Sequence, residues 1–190
     1  MNESGKRKIQ IVDTAMKLFR KRGVDQVTVQ DICNEMEITR SSFYYHFNSK
    51  EDVLDYYFLS TEIAIVEHLL PLLAKDSSYG QFISIFQLYM ARTVEWGPSI
   101  FAQIIKRFVD GKNQLLSPDT IAMKEVYLSL ITQAQRDEEI LNHQSAEVIV
   151  EHIVYLSVGL ANRWCNQSGG FVYSDKLEDL IKQYLQPIKA

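Results

Sequence analysis

Residues 28–50 read TVQDICNEMEITRSSFYYHFNSK, and the fold follows from how this stretch is punctuated. Thr28 is a strong N-cap residue, and Asp31 stands at the reach-back position of a capping box. A short helix is predicted from there to about Glu35. Thr39 caps a second helix running to about Phe47. Ser49, with Asp52 three residues on, opens a third. Two short capped helices joined by a few residues make the helix-turn-helix pattern, in which the second helix enters the major groove of DNA. Ile32 and Ile38 flank the turn and can pack beneath it.

The second helix has two faces. Stepping about 100° per residue from Thr39 puts Phe43 and Phe47 within about 40° of each other. Arg40, Ser41, Tyr44 and Tyr45 fall on the arc from about 100° to about 240°. One face is suited to a core and the other to DNA. Arg40 can form a bidentate pair with guanine, worth about 1–3 kcal/mol of discrimination. Ser41 reads several bases. Tyr44 and Tyr45 offer hydroxyls to phosphate and ring faces to thymine methyls. Thr28, with the free N–H groups of its helix, suits a phosphate, and Lys50 supplies a point charge. His46 falls near the phenylalanine side and suits either an edge contact or a phosphate. The Lys6-Arg7-Lys8 cluster can serve as an arm or a solvated helix start.

Working outward, every segment reads as helix, and the predicted class is all-α. Residues 5–22 form an amphipathic helix with Ile9, Val12, Ala15, Met16 and Phe19 on one stripe, ended by Gly23. The helix from Ser49 runs to about Leu70, before Pro71. Further helices are predicted over about 79–95, 99–109, 145–166 and 174–186. Another is predicted from Ser117-Pro118-Asp119, an N-cap with a first-turn proline and acid, to about Arg136. The organisation expected is a DNA-binding head over residues 1–50 and a regulatory, dimerising body over residues 51–190.

Charge supports the division. The chain carries −4 overall, yet its first 50 residues hold 9 Lys+Arg against 6 Asp+Glu, and the rest 11 against 18. A basic head on an acidic body suits a protein that touches phosphate with one end. Cys33 and Cys165 have no partner at metal-ligand spacing and read as free thiols. No apolar run is long enough to span a bilayer. The N-terminus lacks a signal peptide's apolar core. A cytoplasmic protein without membrane contact is expected.

Residues 9–57 resemble the DNA-binding domain of the TetR, or tetracycline-repressor-like, family. The resemblance is carried by Gly23, by Thr28-Val-Gln-Asp-Ile32, by Ile38-Thr39, by Phe43-Tyr44-Tyr45-His46-Phe47 and by Ser49-Lys50-Glu51. It covers about a quarter of the chain. It implies base contacts at Gln30, Arg40, Ser41 and Tyr45, and phosphate contacts at Thr28, Thr39, Tyr44, His46 and Lys50. Two positions depart from the family pattern. The turn has Met36-Glu37 where the family has a small residue and glycine. A left-handed Glu37 would cost about 1 kcal/mol relative to glycine. Ser41 stands where glycine is common and adds a possible contact.

The body carries apolar helices. Helix 174–186 has Leu177, Leu180, Ile181, Tyr184 and Leu185 on one stripe. Helix 145–166 is apolar on two rows: Ile149, Ile153, Leu156, Leu160 and Trp164, and then Val150, Val154, Val158 and Ala161. One row can face the chain's own core and the other a second copy, with Ser157, Gly159 and Ala161 allowing close approach. The interface expected comprises Val150, Val154, Ser157, Val158, Ala161, Leu177, Leu180, Ile181 and Tyr184, in a homodimer reading a palindromic DNA operator. Phe58, Phe82, Phe86, Tyr89, Met90, Trp96, Phe101, Phe108 and Tyr127 are core candidates that can also border a pocket. The resemblance implies a small-molecule effector there, with Glu95 and Asp110 available to a cation. A body that binds a protein partner instead is the alternative. Glu147 and Glu151 share a helix with His152, and His143 lies near, but metal-enzyme spacing is missing. No enzyme activity, metal or cofactor is expected.

Overall fold

Among the described residues, nine helices form where local signals and apolar periodicity agree. The computed structural model describes residues 3–67, 77–119 and 123–188. In order the helices are α1 (Glu3–Arg22), α2 (Val29–Glu35), α3 (Arg40–Tyr44), α4 (Lys50–Glu67), α5 (Ser78–Trp96), α6 (Pro98–Val109), α7 (Lys124–Arg136), α8 (Ala146–Asn166) and α9 (Tyr173–Leu185). Among the described residues the β structure is one isolated bridge, Ile140 with Pro187. No described helix is long and apolar enough to cross a membrane. The expected end of α4 near Leu70 and Pro71 lies outside the described residues.

The head is a three-helix unit closed by the start of α4. The buried face of α1 is Ile11, Val12, Ala15, Met16 and Phe19, whereas Ile9 is turned outward. Gly23 adopts φ 82° and its N–H returns to the Phe19 carbonyl at 2.9 Å. Thr28 and Asp31 form the full capping box: the Thr28 Oγ1 accepts from the Asp31 N–H at 3.1 Å, and the Thr28 N–H donates to the Asp31 carboxylate at 2.8 Å. Asp31 also pairs with Arg22 at 3.1 Å. The Thr28 hydrogen bonds, helped by Arg22, hold the Asp31 carboxyl at a pKa of about 2.

The turn between α2 and α3 is a Schellman cap. Glu37 takes φ 54°; its N–H meets the Asn34 carbonyl at 3.3 Å, and the Ile38 N–H meets Cys33 at 3.0 Å. Glutamate thus occupies the left-handed position where glycine carries no Cβ penalty. On α4, the Ser49 and Asp52 side chains bond each other at 2.9 Å, and Ser49 caps the Asp52 N–H at 3.1 Å.

In the body, α5 packs on α6, α7 and α9, and α8 on α6, α7 and α9; the head meets the body where α4 touches α5 and α1 touches α6. Gly97, at φ 79° and ψ 163°, separates α5 from α6 and lets Pro98 occupy the first helical position. Two predicted helix starts are corrected. The helix expected from Ser117 is a turn at that point: the Ser117 hydroxyl caps the Asp119 N–H at 3.3 Å, two residues on, and regular helix begins at Lys124. The last helix begins at Tyr173, not after a Ser174 cap. Tyr173 is buried, its ring 5.4 Å from that of Trp164, and its hydroxyl donates to the Ser157 carbonyl at 3.2 Å. That anchor on α8 pulls the preceding residue into the helix.

Candidate nucleic-acid interface

Phe43 and Phe47 are buried beneath α3, 6.1 Å apart between ring centroids. The face above them is open. Arg40, Ser41, Tyr44 and Tyr45 are exposed, Tyr45 to 77%. Regular helix stops at Tyr44, earlier than the expected Phe47; beyond it the Phe43 carbonyl accepts from both the His46 N–H at 2.9 Å, one residue tighter than an α-turn, and the Phe47 N–H at 3.1 Å. The Thr39 hydroxyl caps the Ser42 N–H at 3.2 Å. Thr28 and Gln30, at the start of α2, are exposed as well. Gln30 Nε2 donates to Asn34 Oδ1 at 2.8 Å. The expected base-contact set therefore lies on exposed parts of α2 and of α3 with its cap.

The expected phosphate set divides. Thr28, Thr39 and Tyr44 are exposed. His46 is half-buried and stands edge-on to Tyr45 at 4.9 Å. Lys50 is also half-buried, and its ammonium donates to the Val24 and Val27 carbonyls at 2.7 and 2.8 Å. It fastens the α1–α2 loop to α4, leaving one of its three hydrogens for any anion. In the basic cluster of α1, the Lys8 ammonium lies 4.1 Å from the Tyr56 ring centroid and 5.1 Å from that of Phe47.

These helices and this face match a known group: the family described as bacterial regulatory proteins, tetR family, matches residues 11–57. The head is of the TetR type. Its head is 43% identical over 54 residues to the HTH-type transcriptional regulator YerO of Bacillus subtilis, a stretch covering 28% of this chain and 18% of that one. It is 40% identical over 48 residues to IcaR of Staphylococcus aureus, the negative regulator of a biofilm operon, covering 25% and 26%. The chain thus spans about a quarter or less of the length of these curated relatives. Along 96% of its length it superposes on 95% of the Thermus thermophilus FadR chain, a TetR-family repressor solved with lauroyl-CoA, at a TM-score of 0.64 and 21% identity. That likeness shows the TetR fold.

In the body the expected dimer row divides by burial. Ala161, Leu177 and Ile181 expose nothing and Val150 exposes 3%, so all four pack in the chain's own core. Val154, Ser157, Val158, Leu180 and Tyr184 are partly exposed. A shallow apolar groove instead opens between α8 and α9, lined by His152, Tyr155, Leu156, Gly159, Leu160, Arg163, Leu180 and Tyr184. Periodicity identified two apolar rows on α8 but not which one faced inward.

The aromatic candidates fall into two ring groups. Phe58, Trp96 and Phe101 meet where α4, α5 and α6 converge, with Phe58 and Trp96 centroids 4.4 Å apart. Phe82 packs with Phe86 and Tyr127 between α5 and α7. All six are buried, as is Met90, while Tyr89 and Phe108 pack at the edge. The indole N–H of Trp96 is buried without a hydrogen-bond partner among the described residues. Asp110 is occupied by Lys106 at 3.0 Å. His152 bonds the Tyr184 hydroxyl at 2.7 Å, and Glu151 bonds Tyr155. Among the described residues no cluster of His, Cys, Asp or Glu is arranged to hold a metal.

Three contacts had no sequence signal. Arg107 of α6 grips the Asp55 carboxylate of α4 with two nitrogens, and Asn113 reaches the same carboxylate at 3.4 Å. Gln103, one turn before Arg107, bonds Asp25 of the head at 3.1 Å. Each joins residues more than 50 positions apart.

Proposed function

We propose that this chain is a cytoplasmic transcriptional repressor that binds a palindromic DNA operator as a homodimer and is released by a small molecule. The exposed polar face of α3, set on buried Phe43 and Phe47, carries this reading. Arg40, Ser41, Tyr45 and Gln30 read bases; Thr28, Thr39, Tyr44, His46 and Lys50 meet phosphates, Lys50 with its remaining hydrogen. A head built around residues 1–50 and a body from 51 onward divide the work.

Dimerisation through the α8–α9 groove is supported by its apolar lining and by Tyr155, 54% exposed beside it. Two heads on a two-fold axis read enough base pairs for useful specificity. The relatives IcaR and FadR, a negative regulator and a repressor, support the direction of control.

An effector is supported by the lauroyl-CoA of FadR and by Trp96. A buried donor without an acceptor costs about 1–3 kcal/mol, which a ligand carrying an acceptor would recover. Trp96 touches Phe58 of α4, so a ligand there would act on the helix that carries the head. It changes DNA affinity only if it favours one tilt of α4 over another.

Selection of duplexes from a random pool by the intact protein tests the reading. Enrichment of one palindrome supports it. Retention of all duplexes alike would refute it.

A further inference from the structure

Arg40 opens α3 and Tyr44 closes it, one turn apart on one face. The Arg40 Nη2 donates to the Tyr44 hydroxyl oxygen at 3.2 Å, and the guanidinium carbon lies 5.7 Å from the Tyr44 ring centroid. Tyr44 is itself held: its ring stands edge-on to Phe43, centroids 5.6 Å apart and planes at 90°, and Phe43 is wholly buried. The hydroxyl that holds Arg40 is therefore braced on the core of the head.

The geometry points to Tyr44 as the residue that positions Arg40 for base reading, so that operator specificity runs through the Tyr44 hydroxyl. This rests on the base-reading role proposed above for Arg40. An unrestrained arginine must freeze several rotatable bonds when it pairs with a base, and ordering it beforehand removes part of that cost. Tyr44 uses one of the five guanidinium N–H groups and leaves four for a base edge. Its own hydroxyl hydrogen stays free to donate. Gln30 repeats the pattern, held by exposed Asn34 one turn on.

A phosphate contact alone would behave differently. Phosphate contacts weaken binding across all sequences, whereas base contacts set preference at particular positions. The test is a double-mutant cycle on the intact protein, using duplexes it selects from a random pool and one scrambled duplex. Arg40→Ala is expected to relax preference at a particular base pair of each half-site. Tyr44→Phe is expected to relax the same pair. It should also weaken the selected duplex roughly threefold to tenfold more than the scrambled one, the cost of ordering one long side chain, the loss shared by both duplexes being that of its phosphate contact. In the Arg40→Ala background that excess should vanish, leaving only the loss shared by both duplexes. Tyr44 is 44% exposed, and unchanged melting of each variant establishes that it folds. With Arg40 in place, equal loss on both duplexes or no loss at all would overturn the positioning role, as would the same excess loss in both backgrounds. If the unaltered protein enriches no sequence, the DNA reading itself fails, an outcome distinct from enrichment with a null cycle.

Discussion

Glu37 holds φ 54° at the end of α2, a conformation that places its Cβ against the following carbonyl. Glu37→Gly should stabilise the chain by about 1 kcal/mol, read as a higher denaturant midpoint; an unchanged or lower midpoint would contradict the strain. The departure from the family pattern was visible in the sequence, and its cost followed from the backbone angle. Asp31 gives a pH signature. Its carboxyl titrates near 2 when folded, against an ordinary 3.8, so its stabilisation is present above pH 4 and disappears as pH falls toward 2. The melting-temperature gap between the unaltered chain and Asp31→Asn should therefore narrow over that interval. A constant gap would show that Asp31 acts in another way. Lys50 illustrates what could not be read in advance. It looked like a free cation beside the DNA, yet its acceptors lie 26 and 23 residues earlier in the chain. Local patterning carries no record of such partners.

At the scale of elements, the head was legible because its boundaries are written locally. Thr28 with Asp31, Thr39 with Ser42 and Ser49 with Asp52 each mark a helix start within four residues. The body was less legible wherever tertiary packing decided. Tyr173 moved a helix start through its contacts with Trp164 and Ser157, and α8 showed two apolar rows with no local clue to which was inner. The burial of Ala161 and the openness around Leu156 give paired expectations. For the dimer proposed through the α8–α9 groove, Leu156→Glu should give a monomer by sedimentation while keeping its helical circular dichroism, the unaltered chain sedimenting as a dimer. Ala161→Leu should instead overpack the core, costing about 1–3 kcal/mol of stability, and leave the dimer in place. Persistence of the dimer in Leu156→Glu would move the interface elsewhere.

Across the whole molecule, the head is tied to the body by one face of α6. Gln103 and Arg107, one turn apart, hold Asp25 and Asp55, while Phe101 and Ile104 of the same helix are buried in the core. Lys50 in turn binds α4 to the loop after α1, so the head moves with α4. If this tie sets the spacing of two heads, Arg107→Ala should weaken binding to a full palindrome and leave a single half-site duplex unaffected. Equal loss on both would assign Arg107 to stability alone. In the proposed repressor, the exposed face of α3 reads sequence. The most direct measurement is the affinity of the intact protein for its selected palindrome against a scrambled duplex of equal length, both at the same physiological salt concentration. A preference of at least about 10³-fold, largely lost in Arg40→Ala, is expected; equal affinity for the two duplexes would contradict base reading by α3.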